Sequence, residues 1–280
     1  MHGFLLIDKP RGITSHDVCY RIKKRFGLKR VGHTGTLDPF ATGLMVLAIG
    51  KATKLSHLFF NHDKTYVATM VLGRHYDTLD TTGRLLDEKP VRAKPDDVKS
   101  SIESFRGSYE QMPPMYSAIK HRGKRLYELA REGVNVERKK RLVSIKDIEL
   151  LGYKDQSYTF RARVSKGTYI RSLALDIAAR IDEFAALDEL RRESIGTYRL
   201  EEAKTIENVE AKDLIGFPTF FRDHPRVVLS DYLVRLVKNG IRLDHRQTDT
   251  TDPFVVFDRN GEMIAYYEPD GSDYKPILIL

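Results

Sequence analysis

Residues 31–54 read VGHTGTLDPFATGLMVLAIGKATK, and the rest of the chain can be read outward from them. The first part, Gly32-His33-Thr34-Gly35-Thr36-Leu37-Asp38-Pro39, sets two glycines, a histidine and an aspartate beside a proline. That composition is too polar and too kinked for a core element and predicts a structured loop. Residues 44–49 are an unbroken apolar run, short enough to be a buried strand. A loop carrying an aspartate therefore runs directly into the core. Taken alone, Asp38 in an Asp-Pro turn has an ordinary reading, a carboxylate bonded to nearby backbone N–H groups. A phosphate loop is excluded, because Gly50-Lys51 is followed by Ala52 instead of Ser or Thr, and Met45 stands where its first glycine belongs.

Upstream, residues 4–7 predict a strand closed by Asp8-Lys9-Pro10. Thr14 or Ser15 can then cap a helix whose Val18, Ile22 and Phe26 share one face before Gly27 ends it. The single Cys19 falls on that apolar face and reads as a buried, inert thiol. Downstream, residues 65–72 alternate, with Tyr66, Ala68, Met70 and Leu72 on one face, which predicts a strand. Further strands are expected at 143–151 and 158–164, and helices at 97–105, 125–131 and 170–181. Irregular interleaving of the two predicts an α+β fold. The chain is long enough, at 280 residues and 41% apolar, for one large domain and a small one. The two prolines within 215–226 mark the boundary, giving domains over 1–220 and 226–280. In the tail, residues 254–257 and 262–267 flank Asp258-Arg259-Asn260-Gly261, a hairpin signal, and 276–280 offer a third strand.

The formal charge is +8, which favours a polyanionic partner over a merely solvated basic surface. From Arg226 onward 7 Lys and Arg face 9 Asp and Glu, so the tail carries about −2 and the first 225 residues about +10. The polyanion is expected on the larger part. No apolar run approaches the ~20 residues of a bilayer span and no signal-peptide core precedes the first strand, so the expected location is cytoplasmic, without membrane contact. His57, His62, His75, Asp77 and Asp80 show no recognised ligand spacing, and no metal is expected.

Several motifs, in order, resemble the TruB family of tRNA pseudouridine-55 synthases along nearly the whole chain. These are Lys9-Pro10-Arg11-Gly12-Ile13-Thr14-Ser15, the block 31–54, Lys64-Thr65-Tyr66, the segment 114–133 (PMYSAIKHRGKRLYELAREG), Lys166-Gly167-Thr168-Tyr169-Ile170-Arg171 and Leu190-Arg191-Arg192. The tail from about Pro225 resembles a short form of the family's PUA module. The resemblance implies a mixed, mainly antiparallel catalytic sheet and a stand-alone, monomeric bacterial enzyme with no obligatory protein partner. The related guide-dependent synthases share the catalytic block but work in a multi-protein particle.

The resemblance also assigns residues. Asp38 is the essential carboxylate, Arg171 the cation beside it, and Tyr66 a ring that stacks on the uracil. Tyr169, Leu190 and Lys9 contact the uridine, and His33 fills the space left by the flipped base. The basic segment 114–141, with Lys120, Arg122, Lys124 and Arg125, corresponds to a thumb that clamps the T-arm of tRNA. Each residue also has an ordinary reading: a solvated helix-face charge for Arg171, strand packing for Tyr66, core packing at helix ends for Tyr169 and Leu190, and a solvated face for the thumb. Converting uridine to pseudouridine breaks N1–C1′, turns the uracil, forms C5–C1′ and removes the C5 proton, with no net redox change or hydrolysis. No cofactor is required. Attack at C1′, addition to the base and removal of a sugar proton all remain open to Asp38, and all need it ionised. The competing class is a non-catalytic RNA-binding or RNA-folding module on the same scaffold, against which intact Asp38, Tyr66 and Arg171 argue.

Overall fold

A computed structural model describes residues 1–134 and 136–280; Asn135, inside the basic segment 114–141, lies outside the described residues. The chain runs β1 (Gly3–Lys9), α1 (Ser15–Arg25), β2 (Val31–His33), β3 (Thr42–Ile49), a 3-10 stretch (Gly50–Phe59), β4 (Lys64–Leu72) and a small hairpin of β5 (Arg74–Tyr76) and β6 (Leu85–Glu88). Next come α2 (Pro95–Glu103), β7 (Gly107–Gln111), the two-residue strands β8 (Lys120–His121) and β9 (Lys124–Arg125), and α3 (Leu126–Arg131). β10 (Arg141–Lys154), β11 (Ser157–Val164), α4 (Ile170–Ala179), β12 (Ala185–Ile195) and β13 (Tyr198–Arg199) complete the larger part. The C-terminal part holds α5 (Phe217–Phe220), β14 (Arg226–Val228), α6 (Asp231–Lys238), β15 (Phe254–Phe257), β16 (Met263–Asp270) and β17 (Asp273–Ile279).

Among the described residues nine strands form one sheet in the order β1-β3-β12-β4-β11-β10-β7, with β2 on β3 and β13 on β12. Its pairings are antiparallel except for the short parallel contact of β12 with β3. The fold is thus α+β with a mainly antiparallel sheet and a β-rich C-terminal region, as expected. β3 explains its own unbroken apolar run. Met45, Leu47 and Ile49 pack with Val18, Ile22 and Leu173 on the helical face, while Leu44, Val46 and Ala48 pack on the other with Phe217, Val255, Tyr266 and Leu278. A strand covered on both faces has no polar side to alternate with. The C-terminal strands accordingly share a core with the large sheet.

Local chemistry explains most element ends. Thr14 caps α1, its hydroxyl accepting from the Asp17 N–H while the Asp17 carboxylate accepts from the Thr14 N–H, and Gly27 follows with φ +60°. Cys19 is buried, and burial pushes its thiol up to about 11. β1 continues past residue 7 because Asp8 and Lys9 still pair with Leu44 and Gly43. β12 and α6 were not anticipated. β12 reads AALDELRRESI, too charged for a core strand, and two of its charges are paired across the fold: Arg191 with Asp8 and Glu193 with Arg161. Its register shifts after Leu187 and after Arg192 also break the period of two that marks a strand. Leu190 therefore lies within a strand, not at a helix end.

Candidate functional site

Asp38 stands on the loop between β2 and β3, and side chains from outside the loop hold its backbone. The Ser15 hydroxyl accepts from the Leu37 N–H at 2.8 Å and donates to the Leu37 carbonyl at 3.0 Å. Gly12 N–H donates to the Pro39 carbonyl at 2.8 Å, and Ala41 N–H closes a turn on the Asp38 carbonyl at 3.1 Å. The stretch KPRGITS before this loop thus has a structural use: it supplies Lys9, Gly12 and Ser15 as the loop's frame.

Arg171 arrives from the first turn of α4. Tyr169, the residue before that helix, is gripped by the Gln111 side chain, whose oxygen accepts from the Tyr169 N–H at 2.8 Å and whose amide donates to the Tyr169 carbonyl at 3.2 Å. Arg171 is 4% exposed, and its guanidinium straddles Asp38, with Nε 2.9 Å from Oδ2 and Nη2 3.1 Å from Oδ1. It also donates to the carbonyls of Thr78 at 2.7 Å and Tyr116 at 2.8 Å, and lies 3.7 Å from the Asp80 carboxylate. Leu79, between Thr78 and Asp80, has φ +63°, a conformation rare for leucine, and the two flanking residues both present oxygen to Arg171. Three hydrogen bonds donated by one guanidinium, with its two ion-pair contacts to Asp38 and Asp80, leave it a single orientation.

Asp38 keeps about a third of its side-chain surface open, with 33% exposed, yet it lies deep in the protein at the bottom of a recess. Burial pushes its carboxyl above the ordinary range of 3.8; the Arg171 guanidinium opposes this, and the neighbouring Asp80 charge adds to it. The recess has a volume of about 230 Å³, and Asp38, Tyr66, Tyr169, Arg171 and Leu190 all line it. Five of the expected residues, from four separate stretches of sequence, therefore meet around one cavity. Burial also pushes the Tyr169 phenol up, so it remains a neutral hydroxyl.

His33 lies beside this recess, in an adjoining cleft of about 680 Å³ that shares Thr36, Tyr66 and Thr168 with it and is edged by Lys64, Arg141 and Lys166. Burial lowers the His33 pKa, and its Nδ1 has no hydrogen-bond partner among the described residues. Lys9 departs from expectation. It is fully buried, outside the lining of the recess, and its ammonium donates to the carbonyls of Pro10, Pro39 and Ala41 at 3.0, 3.2 and 2.6 Å. Its burial lowers its pKa to about 8, and its contacts are with the Asp38 loop, not with the open recess.

Lys120, Arg122, Lys124 and Arg125 are all exposed on the β8–β9 hairpin. At its tip Arg122 and Gly123 have φ +49° and +91°, as a two-residue hairpin turn requires. Lys124 pairs with Glu132 at 3.1 Å, so three of the four charges are without a carboxylate among the described residues. Sequence reasoning missed Gln111, Thr78, Tyr116, Asp80 and Ser15, which act through backbone groups or from unremarkable loops. A larger trough of about 770 Å³, by α2 and the end of α4, contains none of the motif residues.

A family model described as "TruB family pseudouridylate synthase (N terminal domain)" matches residues 23–170. The chain is 48% identical over 275 residues to tRNA pseudouridine synthase B of Acholeplasma laidlawii, covering 98% of each chain. It is 49% identical to the protein of the same name from Onion yellows phytoplasma, with 99% of each covered, and 38% identical to that of Bacillus subtilis, with 100% and 98% covered. Among solved structures, a chain of a crystal structure of a Cbf5-Nop10-Gar1 complex is similar, with a TM-score of 0.68 and 25% identity over 95% of this chain and 78% of that one.

Proposed function

Since this chain belongs to the TruB family of pseudouridylate synthases and is an isomerase acting on tRNA, we propose that its target is the uridine at position 55 in the T-arm loop, flipped into the 230 Å³ recess and isomerised by Asp38. The observation that carries this reading is the two-pronged Arg171–Asp38 pair at a base-sized recess walled by Tyr66, Tyr169 and Leu190. A stacked uridine has to leave its loop before its glycosidic bond is within reach of a recessed carboxylate. Tyr66 offers a flat ring to the extruded uracil, and His33 sits next door, where a neutral imidazole can fill the gap left in the RNA.

The carboxylate has to be charged to attack C1′, add to the base or take a sugar proton. Burial alone works against that. Arg171 offsets it by giving the ionised form two charge-assisted bonds, and the carbonyls of Thr78 and Tyr116 keep the guanidinium aimed. Breaking N1–C1′ and forming C5–C1′ within one recess keeps the freed uracil beside its sugar, and the C5 proton leaves last, taken up at the Tyr66 phenol oxygen in the same recess as that hydroxyl passes its own proton to solvent. No nucleotide, metal or redox partner enters this sequence of bonds. The β8–β9 hairpin supplies phosphate contacts that position the RNA without reading its bases. The 226–280 region acts as a PUA-like appendage, and the protein works in the cytoplasm as a monomer without a protein partner.

The test is tritium release from C5-labelled tRNA by the purified protein, with Asp38→Asn beside the wild type and filter binding for both. Release by the wild type, at position 55 on mapping, and none by Asp38→Asn with tRNA affinity retained is the expected result. Equal release by Asp38→Asn refutes the mechanism, and no release by the wild type points to an RNA-folding module.

A further inference from the structure

Arg192 is among the largest fully buried side chains, 1% exposed, and the ion pairs of its neighbourhood, Arg171 with Asp38 and Arg191 with Asp8, leave it out. No carboxylate pairs with it among the described residues. Its guanidinium instead donates to three carbonyls: Leu44 from Nε at 2.7 Å, Gly35 from Nη2 at 3.2 Å and Thr36 from Nη1 at 3.5 Å. Gly35 and Thr36 precede Asp38 by three and two residues, and Leu44 is the third residue of β3, the buried strand after it. The reach is possible because β3 and β12 touch here. Gly43 pairs with Arg192, and a Cβ on Gly43 would stand 2.4 Å from the Arg192 carbonyl, at φ +103°. On its other side Arg192 is the direct cross-strand partner of Tyr66, and Leu190, two residues earlier, lines the recess.

We propose that Arg192 is a positioning residue for Asp38, a buried cation whose counter-dipoles among the described residues are the Gly35 and Thr36 carbonyls of the Asp38 loop and the Leu44 carbonyl of β3, so that the loop is tied to the strand that follows it in one shape. This rests on the reading of Asp38 as the reacting carboxylate. The physical reason is the cost of burying a charge. A guanidinium removed from water without an anion is tolerated only while oxygen dipoles replace its hydration, and the strongest of its contacts are charge-assisted. Any loop conformation that turns the Gly35 or Thr36 carbonyl away strips that charge of part of its solvation and leaves it the Leu44 carbonyl of β3. The penalty falls on the alternatives, and the loop is preorganised before RNA arrives. Lys9 does the same for the following turn, at Pro39 and Ala41, so Asp38 is presented between two cationic anchors. Arg192 and Arg171 thereby have different tasks: one shapes the backbone beneath Asp38, the other orients its carboxylate.

The experiment compares wild type, Arg192→Lys and Arg192→Gln by single-turnover tritium release at saturating enzyme, tRNA filter binding, thermal melting, and hydrogen exchange at the Leu37 and Ala41 amides. Lysine keeps the charge but reaches the three carbonyls from a single nitrogen, and glutamine keeps a donor without the charge. Expected is a rate constant about 10- to 100-fold lower for both, the scale of a displacement near 1 Å, with tRNA affinity unchanged. Exchange at Leu37 and Ala41 should rise about tenfold as the loop samples other shapes. A wild-type rate constant with only a smaller amplitude or a lower melting point would mean that Arg192 serves stability alone and overturns the proposal. So would a loss confined to tRNA affinity, which makes Arg192 an RNA contact through the adjoining cleft it borders. Unchanged loop exchange overturns it whatever the rates. An Asp38→Asn control that turns over normally refutes the reading of Asp38 instead, and the exchange measurement still decides whether Arg192 holds the loop.

Discussion

Replacing Arg171 with lysine separates charge from geometry at the Asp38 carboxylate. Arg171 makes two contacts to Asp38 and one each to the carbonyls of Thr78 and Tyr116. An ammonium keeps the charge, but one nitrogen does not straddle both carboxylate oxygens and also reach carbonyls in two separate loops. At least one carboxylate contact and one carbonyl contact are lost. A hydrogen bond involving a charged group contributes ~1.5–3 kcal/mol, and orphaning a buried carbonyl costs ~1–3 kcal/mol. The first loss bears on the chemical step, because it frees Asp38 to rotate; at 1.36 kcal/mol per factor of ten it corresponds to about a 10- to 150-fold slower reaction. The second bears on stability and should lower the melting point without touching RNA affinity. Single-turnover tritium release from C5-labelled tRNA at pH 7, with filter binding and a melt on the same preparations, reads all three. Turnover within about threefold of wild type would refute the claim that the fork, beyond its charge, orients Asp38.

Three further outcomes follow from the geometry. Because Asp80 helps push the Asp38 carboxyl up and the reaction needs the ionised form, activity should fall as pH drops through a value above 3.8, and Asp80→Asn should move that acid limb to lower pH; a limb that stays or moves up in the pH–rate profile would contradict it. Removing the charges of Lys120, Arg122, Lys124 and Arg125 together should weaken tRNA binding and flatten its salt dependence by ~0.7–0.9 in the log–log slope for each lost phosphate contact, and an unchanged slope would make the hairpin a merely solvated face. Lys9→Met should lower stability by about 2–4 kcal/mol through the stranded Pro39 and Ala41 carbonyls while leaving tRNA affinity intact, whereas a weaker Kd with unchanged melting would restore Lys9 to the substrate contacts.

Sequence alone determined what depends on local order. The unbroken run at residues 44–49 announced a strand with no solvent face, the alternation of 65–72 put Tyr66, Ala68, Met70 and Leu72 on one side, and Thr14 and Gly27 bracketed α1. Motif order was enough to name Asp38, Tyr66, Tyr169, Arg171 and Leu190 before their meeting was visible. What the residue string leaves open is which partner a long side chain reaches. Lys9 and Arg192 both look like surface charges in a list, and both are buried because β1 and β12 flank the Asp38 loop and its carbonyls turn inward to meet them. Gln111 carries no signal at all, since its role is to bond the backbone of a residue 58 positions away. β12 was illegible for the same reason. Its Arg191 and Glu193 are paired with Asp8 and Arg161, residues distant in the chain, and two register shifts erase its period. Local patterns record the burial of a strand or helix face; only the assembled sheet decides which distant carbonyl, carboxylate or guanidinium satisfies a buried charge, because that choice is made by through-space electrostatics and not by neighbours in sequence.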